Sequence, residues 1–298
     1  MKHYLCIDVG GTSIKYGLLD EEGHIIQTQS VKVPLSLLEM YEVFANAYYQ
    51  YQDFHLQGIA LSMPGAVDSE SGVIGGSSAY DYIHGPNIKK DLEEKFKIPV
   101  EIENDANCAA LAEVWKGAAS DVNDCCFIVS GTGIGGAIVK NKKIHKGVHL
   151  HGGEFGYMIS KLDAHERPIK TWSDASTVNI LKDIAKEKNI DFHLLDAKDI
   201  FDHYHNDPIY EKYINEYYWS MANGIYNLQY AYDPEKIVIG GGISMREDLI
   251  DEINQRLDVI FKTFTHAHVR PIILTCQYHN DANLIGALFH YLTKSTSV

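Results

Sequence analysis

The chain has 298 residues, 45% of them apolar and 22% charged, enough to bury a sizeable core and to build two domains. A formal net charge of −14 excludes nucleic acid as a main partner, because phosphate backbones are held by a surplus of Lys and Arg, and it favours solubility. No apolar run approaches the roughly 20 residues of a membrane span, and the N-terminus enters a strand pattern with no signal-peptide core, so no membrane partner and a cytoplasmic protein are expected. Five cysteines, Cys6, Cys108, Cys125, Cys126 and Cys276, show no CxxC spacing and lie mostly in apolar runs, which predicts buried thiols.

In chain order, Leu5, Ile7 and Val9 alternate with Cys6 and Asp8, Gly10 and Gly11 break the pattern, and Ile14 to Leu19 resumes it. This predicts a hairpin with a polar tip. Glycines let backbone N–H groups approach an anion, Thr12, Ser13 and Lys15 add donors, and Asp8 sits where a hydrated Mg²⁺ would bridge polyphosphate. A plain Gly-Gly turn with solvent-facing polar residues fits the same stretch. Ser36 to Gln52 predicts a helix capped by Ser36, and Gly58 to Met63 a buried strand ending at Pro64-Gly65. Asp68 to Tyr82 reads as a loop or short hairpin, and Asn87 as the cap of the amphipathic helix IKKDLEEKF.

Pro99 to Glu103 predicts a strand and Asn104 to Gly117 a helix. Asn104 and Asp105 therefore sit at a strand end where a helix begins, a place that projects side chains and whose dipole favours a carboxylate. Asp105 alone suffices as an N-cap. The run ENDAN, however, places four polar side chains in five positions, more than capping uses, and makes Asp105 a catalytic candidate.

Phe127 to Lys140 carries G-x-G-x-x-G at Gly131, Gly133 and Gly136. A dinucleotide fold needs a helix after these glycines, but AIVK is β-branched, so a second hairpin is predicted. The two hairpins share one form about 125 residues apart, a spacing that points to two related domains whose phosphate-facing turns clamp one nucleotide. A glycine- and histidine-rich loop, Gly147 to Met158, follows and contains Glu154, a carboxylate between small residues that suits hydroxyl recognition. His145, His149 and His151 read as solvated or hydrogen-bonded rather than as metal ligands. Helices are predicted for Ser173 to Lys188, Ala197 to His205 and Pro208 to about Tyr230, the last with aromatic residues suited to core or subunit contact. Lys236 to Ile239 is a strand leading into Gly240, Gly241 and Gly242, which permit close approach of a flat ligand or its phosphates. A helix from Met245 to Phe261, a strand from Pro271 to Leu274 and a helix from Asp281 to Tyr291 capped by Asp281 complete the chain.

The segments DVGGTSIKYGLLD, SMPGAVD, ENDANCAALAE, SGTGIGGAIV, GEFG and VIGGGIS occur in the order found in the ROK sugar kinases, and the chain resembles that family over nearly its whole length. The resemblance implies an α/β, two-domain actin-like ATPase fold shared with hexokinases, with a cleft between the domains. Residues 1–118 with the C-terminal helix 281–298 would form one domain and residues 119–280 the other. It further implies ATP with Mg²⁺ as phosphoryl donor and a small-molecule sugar as acceptor, at the 6-hydroxyl of a hexose or β-glucoside. On matching positions, Asp105 becomes the general base, Asn104 and Glu154 hold sugar hydroxyls and Gly65 lines the sugar pocket. Gly10, Gly11, Gly131 and Gly133, with Thr12, Lys15 and Thr132, would surround the phosphates, Gly241 and Gly242 would lie near the nucleoside, and Asp8 would hold Mg²⁺ through water.

One departure bears on substrate. Many members follow G-E-x-G with His and a cysteine-rich zinc motif, whereas this chain has Tyr157 and then no cysteine until Cys276, so no structural zinc site is expected. The run KTWSDASTVNILKD resembles the zinc-less branch that includes β-glucoside kinases. The sugar pocket's wall is then expected from Trp172 to Ser176, aromatic and open toward the anomeric end. N-acetylmannosamine kinase and glucokinase or fructokinase activities are the alternatives within the family, and a non-catalytic sugar-binding regulator is the alternative of another class. Family repressors carry a helix-turn-helix ahead of the first hairpin, for which a strand beginning by Tyr4 leaves no room. A homodimer is among the assemblies these features allow.

Overall fold

The structure, a computed structural model, describes residues 1–76, 78–161 and 170–295; Ser77 of the expected 68–82 loop and the last three residues of the expected final helix lie outside them. The chain forms two units, the first Met1–Asp121 with Lys142–Gly152 and Asn280–Val298, the second Val122–Asn141 with Gly153–His279.

In the first unit, β1 (His3–Val9) and β2 (Ser13–Asp20) form the expected antiparallel hairpin, and β3 (Ile25–Lys32) adds to β2. β4 (Ile59–Met63) then lies parallel to β1, β5 (Ala66–Asp68) and β6 (Val73–Gly75) make a short hairpin, and β7 (Val100–Asn104) lies parallel to β4. Strand alternation gives the sheet two faces. Leu5, Ile7, Leu61 and Ile102 share one core with Met40, Phe44 and Ala47 of α1 (Leu37–Tyr51) and with Ile88, Leu92 and Phe96 of α2 (Ile88–Phe96). Both helices start where the sequence predicts: Ser36 accepts from the Glu39 N–H and Asn87 from the Lys90 N–H.

The opposite face is covered by the C-terminal helix (Ala282–Ser295), which packs on β1, β4 and β7 and against α3 (Asp105–Lys116). Tyr4 and Tyr291 meet there with ring centroids 5.2 Å apart, and Trp115 stacks on Phe289 at 5.2 Å. The helix axes approach so closely that a Cβ on Gly286 would overlap the Cys108 carbonyl. This glycine is therefore required by packing rather than by a turn.

Glu101 and Glu103, two residues apart on β7, point to the same face as His290 of the C-terminal helix. His290 is 8% exposed, with Nδ1 3.7 Å from Glu103 Oε2 and Nε2 4.0 Å from Glu101 Oε2. Burial pushes its imidazole down to about 4; Glu103 pulls the other way, and Lys146, Lys294 and Lys89 add to the depression.

In the second unit, β8 (Cys125–Ser130) and β9 (Ile134–Lys140) again form an antiparallel hairpin, and strands Lys236–Gly240 and Ile273–Thr275 extend it in parallel from β8. The expected hairpin thus occurs twice, and in each unit the structure adds parallel strands beside its first strand. Around this sheet lie α4 (Thr177–Lys188), α5 (Ala197–His203), α6 (Pro208–Tyr232) and α7 (Leu249–Thr263). Asp207 caps α6 by accepting from the Ile209 and Tyr210 N–H groups, Pro208 fits its first turn, and Asp233 ends it in the left-handed conformation. Ile214, Tyr217, Tyr218, Met221, Ile225 and Leu228, spaced for one helix face, are fully or almost fully buried, and Tyr210, Tyr213, Tyr226 and Tyr232 pack half-buried against the same core, whereas Trp219 and Tyr230 are exposed.

Two predicted helices start later than expected. Ser173 to Lys188 is broken: Trp172–Ala175 is a 3₁₀ turn, and Ser176 then caps α4. Gly242–Met245 is likewise a 3₁₀ turn, and α7 begins only at Leu249. Both breaks occur where side chains are drawn into tertiary bonds, as the site below makes clear. The third helix to differ, Ala197 to His205, ends at His203 and continues as a 3₁₀ turn. All five cysteines are buried, and no described helix is long and apolar enough to cross a membrane.

Two outcomes are expected. Ala is favoured over Gly in a helix interior by about 1 kcal/mol, but overlap with fixed backbone outweighs this, so Gly286→Ala should destabilise by about 1–3 kcal/mol, read as a lower urea midpoint. For His290 the folded pKa lies below the unfolded one, so its contribution is complete above pH 6.5 and is lost as pH falls toward 4. Urea unfolding at pH 7.5, 6 and 5 should show wild type losing on the order of 2 kcal/mol more than His290→Gln at the acid end.

Candidate active site

Strand register collects the first unit's candidate residues at one edge of its sheet. Asp8 is paired with Ser62, and Ser62 with Glu103, so three polar side chains from β1, β4 and β7 form one row at the carboxyl ends of parallel strands. Ligands of open α/β sheets bind at such ends. Beyond the row lie the turn Gly10-Gly11-Thr12, the bend at Gly65 and the pair Asn104-Asp105.

Asp8 is held by neighbours remote in sequence. Its Oδ1 accepts from Ser62 Oγ at 2.7 Å and from Asn283 Nδ2 at 2.9 Å, at the start of the C-terminal helix. Burial pushes its carboxyl up, while these two hydrogen bonds and the field of Lys15 oppose the rise. Lys15, expected to offer a donor at the phosphate turn, instead forms an ion pair with Asp281 and donates to the Asn280 carbonyl at 3.0 Å. It is Asp8's cross-strand partner and acts on that carboxylate through space. The turn itself is closed by the Gly10 N–H donating to the Ser13 carbonyl at 3.0 Å, with Gly11 and Thr12 exposed.

The α3 cap is Asn104, and Asp105 is the first helical residue; this corrects the reading of Asp105 as a sufficient cap. Asn104 Oδ1 accepts from the Asn107 N–H at 3.1 Å, and Nδ2 donates to the Gly65 carbonyl at 3.0 Å and to Asp105 Oδ1 at 2.8 Å. Asp105 Oδ1 also accepts from the Ala106 N–H at 2.8 Å. The carboxylate thus stands half-buried at a helix N-terminus with its orientation fixed through one oxygen. Gly65 has φ of 98°, and a Cβ there would come within 2.9 Å of Ile74, so backbone and space both demand glycine.

The second unit assembles Gly131, Thr132, Gly133, Gly241 and Gly242. Serine and threonine hydroxyls from the segment 173–177 brace the β8–β9 turn. Ser173 Oγ accepts from the Ile134 N–H at 3.1 Å, Ser176 Oγ donates to the Thr132 carbonyl at 3.1 Å, and Thr177 Oγ1 bonds Ser130 Oγ at 2.9 Å. The Val178 N–H completes the brace on the Gly131 carbonyl at 3.1 Å. Gly241, with φ of 87°, lies where a Cβ would strike the Ser130 backbone, so the two turns touch, while Gly131 and Gly242 face open space. They border a cavity of about 780 Å³ lined also by Thr177, Phe201, Met245 and Arg246. Arg246 is fixed in that wall by both oxygens of Asp248 at 2.9 and 2.7 Å, by Asp202 at 2.6 Å and by the face of Phe201. These bonds explain why the helix after the glycines starts late.

Glu154 is exposed in the second unit, presented by Gly153, Phe155 and Gly156, which are buried against β9. Tyr157 is 68% exposed. The expected aromatic wall from Trp172 to Ser176 is not there: Trp172 is 2% exposed, with its indole filling the space over Gly224 of α6, and the rest of the segment braces the turn. His149 and His151 are exposed, His151 Nδ1 lying 2.6 Å from the His149 carbonyl. Ser62, Asn283, Ser173, Ser176, Thr177 and Arg246 are the site residues not singled out from the sequence. A serine inside the apolar run GIALSM was the signal for Ser62; Asn283 carries none.

The ROK family pattern matches residues 4–294. The chain is 36% identical to a β-glucoside kinase of Listeria innocua, with 96% of each covered, and 30% identical to a β-glucoside kinase of Klebsiella pneumoniae, with 95% of this chain and 94% of that one covered. Among solved structures it is similar to a ROK family protein from Streptococcus pneumoniae in complex with sucrose, at a TM-score of 0.90 and 34% identity over 99% of this chain and 100% of that one. The family pattern spans nearly the whole chain and the backbone likeness extends over it as well: the chain belongs to the ROK family and has its actin-like ATPase fold.

Proposed function

We propose that this protein is an ATP-dependent sugar kinase that transfers the γ-phosphoryl group to the 6-hydroxyl of a β-glucoside. The observation that carries the reading is Asp105, held at the α3 N-terminus by Asn104 and by the Ala106 N–H. A general base must present a carboxylate in a fixed orientation, and the helix terminus and two donors hold it there. Asp105 accepts the proton of the sugar hydroxyl as that oxygen forms its bond to the γ-phosphorus and the bond from phosphorus to the ADP oxygen breaks. Asn104, the Gly65 bend and Glu154 hold the sugar's hydroxyls.

The Gly10 and Gly131 N–H groups close their turns on the Ser13 and Gly133 carbonyls, which leaves the turn residues Gly11-Thr12 and Thr132-Gly133 to hold phosphate oxygens by backbone N–H groups, with no side chain in the way at Gly11 or Gly131. The cavity beside Gly131 and Gly242 has the size and mixed lining of a nucleoside site, with Gly241 allowing its floor to approach. The Asp8 carboxylate, fixed by Ser62 and Asn283, would hold Mg²⁺ through water, and the ion would supply neutralisation of the polyphosphate charge there. Catalysis of this kind is mostly positioning. The β-glucoside preference rests on the two similar kinases rather than on a visible aromatic wall.

Sugar-dependent ADP release tests the proposal on cellobiose, an aryl β-glucoside, glucose, N-acetylmannosamine and fructose. The β-glucosides should match or exceed glucose in kcat/KM; a clear preference for a monosaccharide would remove the glycoside reading, and no sugar-dependent release would remove the kinase. Asp105→Asn should keep its fold and sugar binding while losing about 10²-fold or more in kcat. EDTA should abolish turnover and leave Tm unchanged, since Mg²⁺ enters here with the nucleotide; a large fall in Tm would instead mark a structural metal.

A further inference from the structure

We propose that the buried ion pair Glu103–Lys146 positions Asn104 and Asp105 for phosphoryl transfer; the inference rests on the kinase reading above and adds two positioning residues to it. Glu103 is 1% exposed, and a carboxylate at that depth costs several kcal/mol unless it is paired and hydrogen-bonded. Its two oxygens divide the task. Oε1 accepts from the Asn104 N–H at 2.7 Å and from Asn107 Nδ2 at 3.0 Å, while Oε2 meets Lys146 Nζ at 2.7 Å.

Lys146 is the cation that balances it. The neighbouring His290, 3.7 Å from Oε2, is held neutral by burial, and Lys89 is paired with Glu101 at 3.0 Å. Lys146 Nζ also donates to Ser69 Oγ at 2.7 Å and to the Val67 carbonyl at 3.2 Å, so all three ammonium protons have acceptors. It thereby ties the β5 end to the β7 end from a segment that runs directly into Gly153 and Glu154 in the chain.

Glu103 fixes both the backbone of Asn104 and the side chain of Asn107, whose own N–H is capped by Asn104. With the Asn104 backbone set, its Nδ2 is aimed at Asp105 Oδ1 and the Gly65 carbonyl. Stability alone is a poor reason to bury such a pair, because apolar replacements of buried ion pairs are often neutral or stabilising. Geometry is a better one: a displacement of about 1 Å at a reacting group can cost 10²-fold in rate.

The test measures kcat, the KM for ATP and Tm for Lys146→Met, Lys146→Arg, Glu103→Gln and the double variant Glu103→Gln/Lys146→Met, with the best sugar of the panel. Lys146→Met should lower kcat by about 10- to 100-fold with the KM for ATP within about twofold of wild type, because it leaves Glu103 buried without its cation. Lys146→Arg should recover most of the rate, and the double variant should lose less than the product of the two single losses, as expected for residues acting as one unit. Variants that lose Tm yet keep the wild-type kcat would overturn the positioning role, as would strictly additive losses. If Lys146→Met does not fold, Glu103→Gln, which keeps the size of the side chain, decides by the same split. Wild type that phosphorylates no sugar would overturn the kinase reading and this inference together, whereas active wild type with unimpaired variants overturns this inference alone.

Discussion

Asn104 makes three side-chain hydrogen bonds in three directions, and each constrains a different part of the first unit. One caps α3, one ties the helix start to the bend at Gly65, and one sets the carboxylate of Asp105. A residue capping a helix normally satisfies one orphan N–H group and nothing more. Here the cap's amide nitrogen serves as well as its oxygen, so the helix start, the Gly65 bend and the Asp105 carboxylate hold one geometry. Asp lacks the donors for this, and Ser lacks the reach.

The charges around that joint are arranged to tolerate burial. Asp8, Ser62 and Glu103 form a row across three strands, and each carboxylate in it is met by donors from elsewhere in the chain. Asp8 takes Ser62 and Asn283, Glu103 takes Lys146 and Asn107, and Lys15 is drawn off to Asp281. Glu103 is thus met by a cation and Asp8 by two neutral donors, which limits the cost of placing carboxylates at these strand ends. Packing sets the distances. The C-terminal helix can supply Asn283 and His290 to this row only because Gly286 lets it lie directly on α3.

In the second unit the constraint is steric rather than electrostatic. The β8–β9 turn has few atoms of its own to fix it, and hydroxyls at Ser173, Ser176 and Thr177 do so from the 3₁₀ turn and the start of α4. Those bonds draw the backbone out of helical continuity at Ala175-Ser176, a break the apolar spacing of the segment does not show. Trp172, at the head of the same segment, is pulled into the core by the space over Gly224. Bracing of the turn and core packing compete for one short stretch, and each takes part of it.

The amino-acid sequence by itself determined the parts of this protein that depend on local chemistry. Strand alternation around Gly10-Gly11 and Gly131-Gly133 predicts both hairpins, β-branched residues after the second glycine run rule out a dinucleotide helix, and Ser36 and Asn87 mark helix starts. The motif order also supplied the family. Only the tertiary structure decided what depends on residues far apart in the chain: that Asn104 and not Asp105 is the cap, that Lys15 serves Asp281, that Trp172 is core, and that Asn283 reaches Asp8 across 275 positions. Periodicity and turn chemistry are read within a few residues, whereas hydrogen-bond partners at a sheet edge are chosen by strand register and helix packing, which no local window contains.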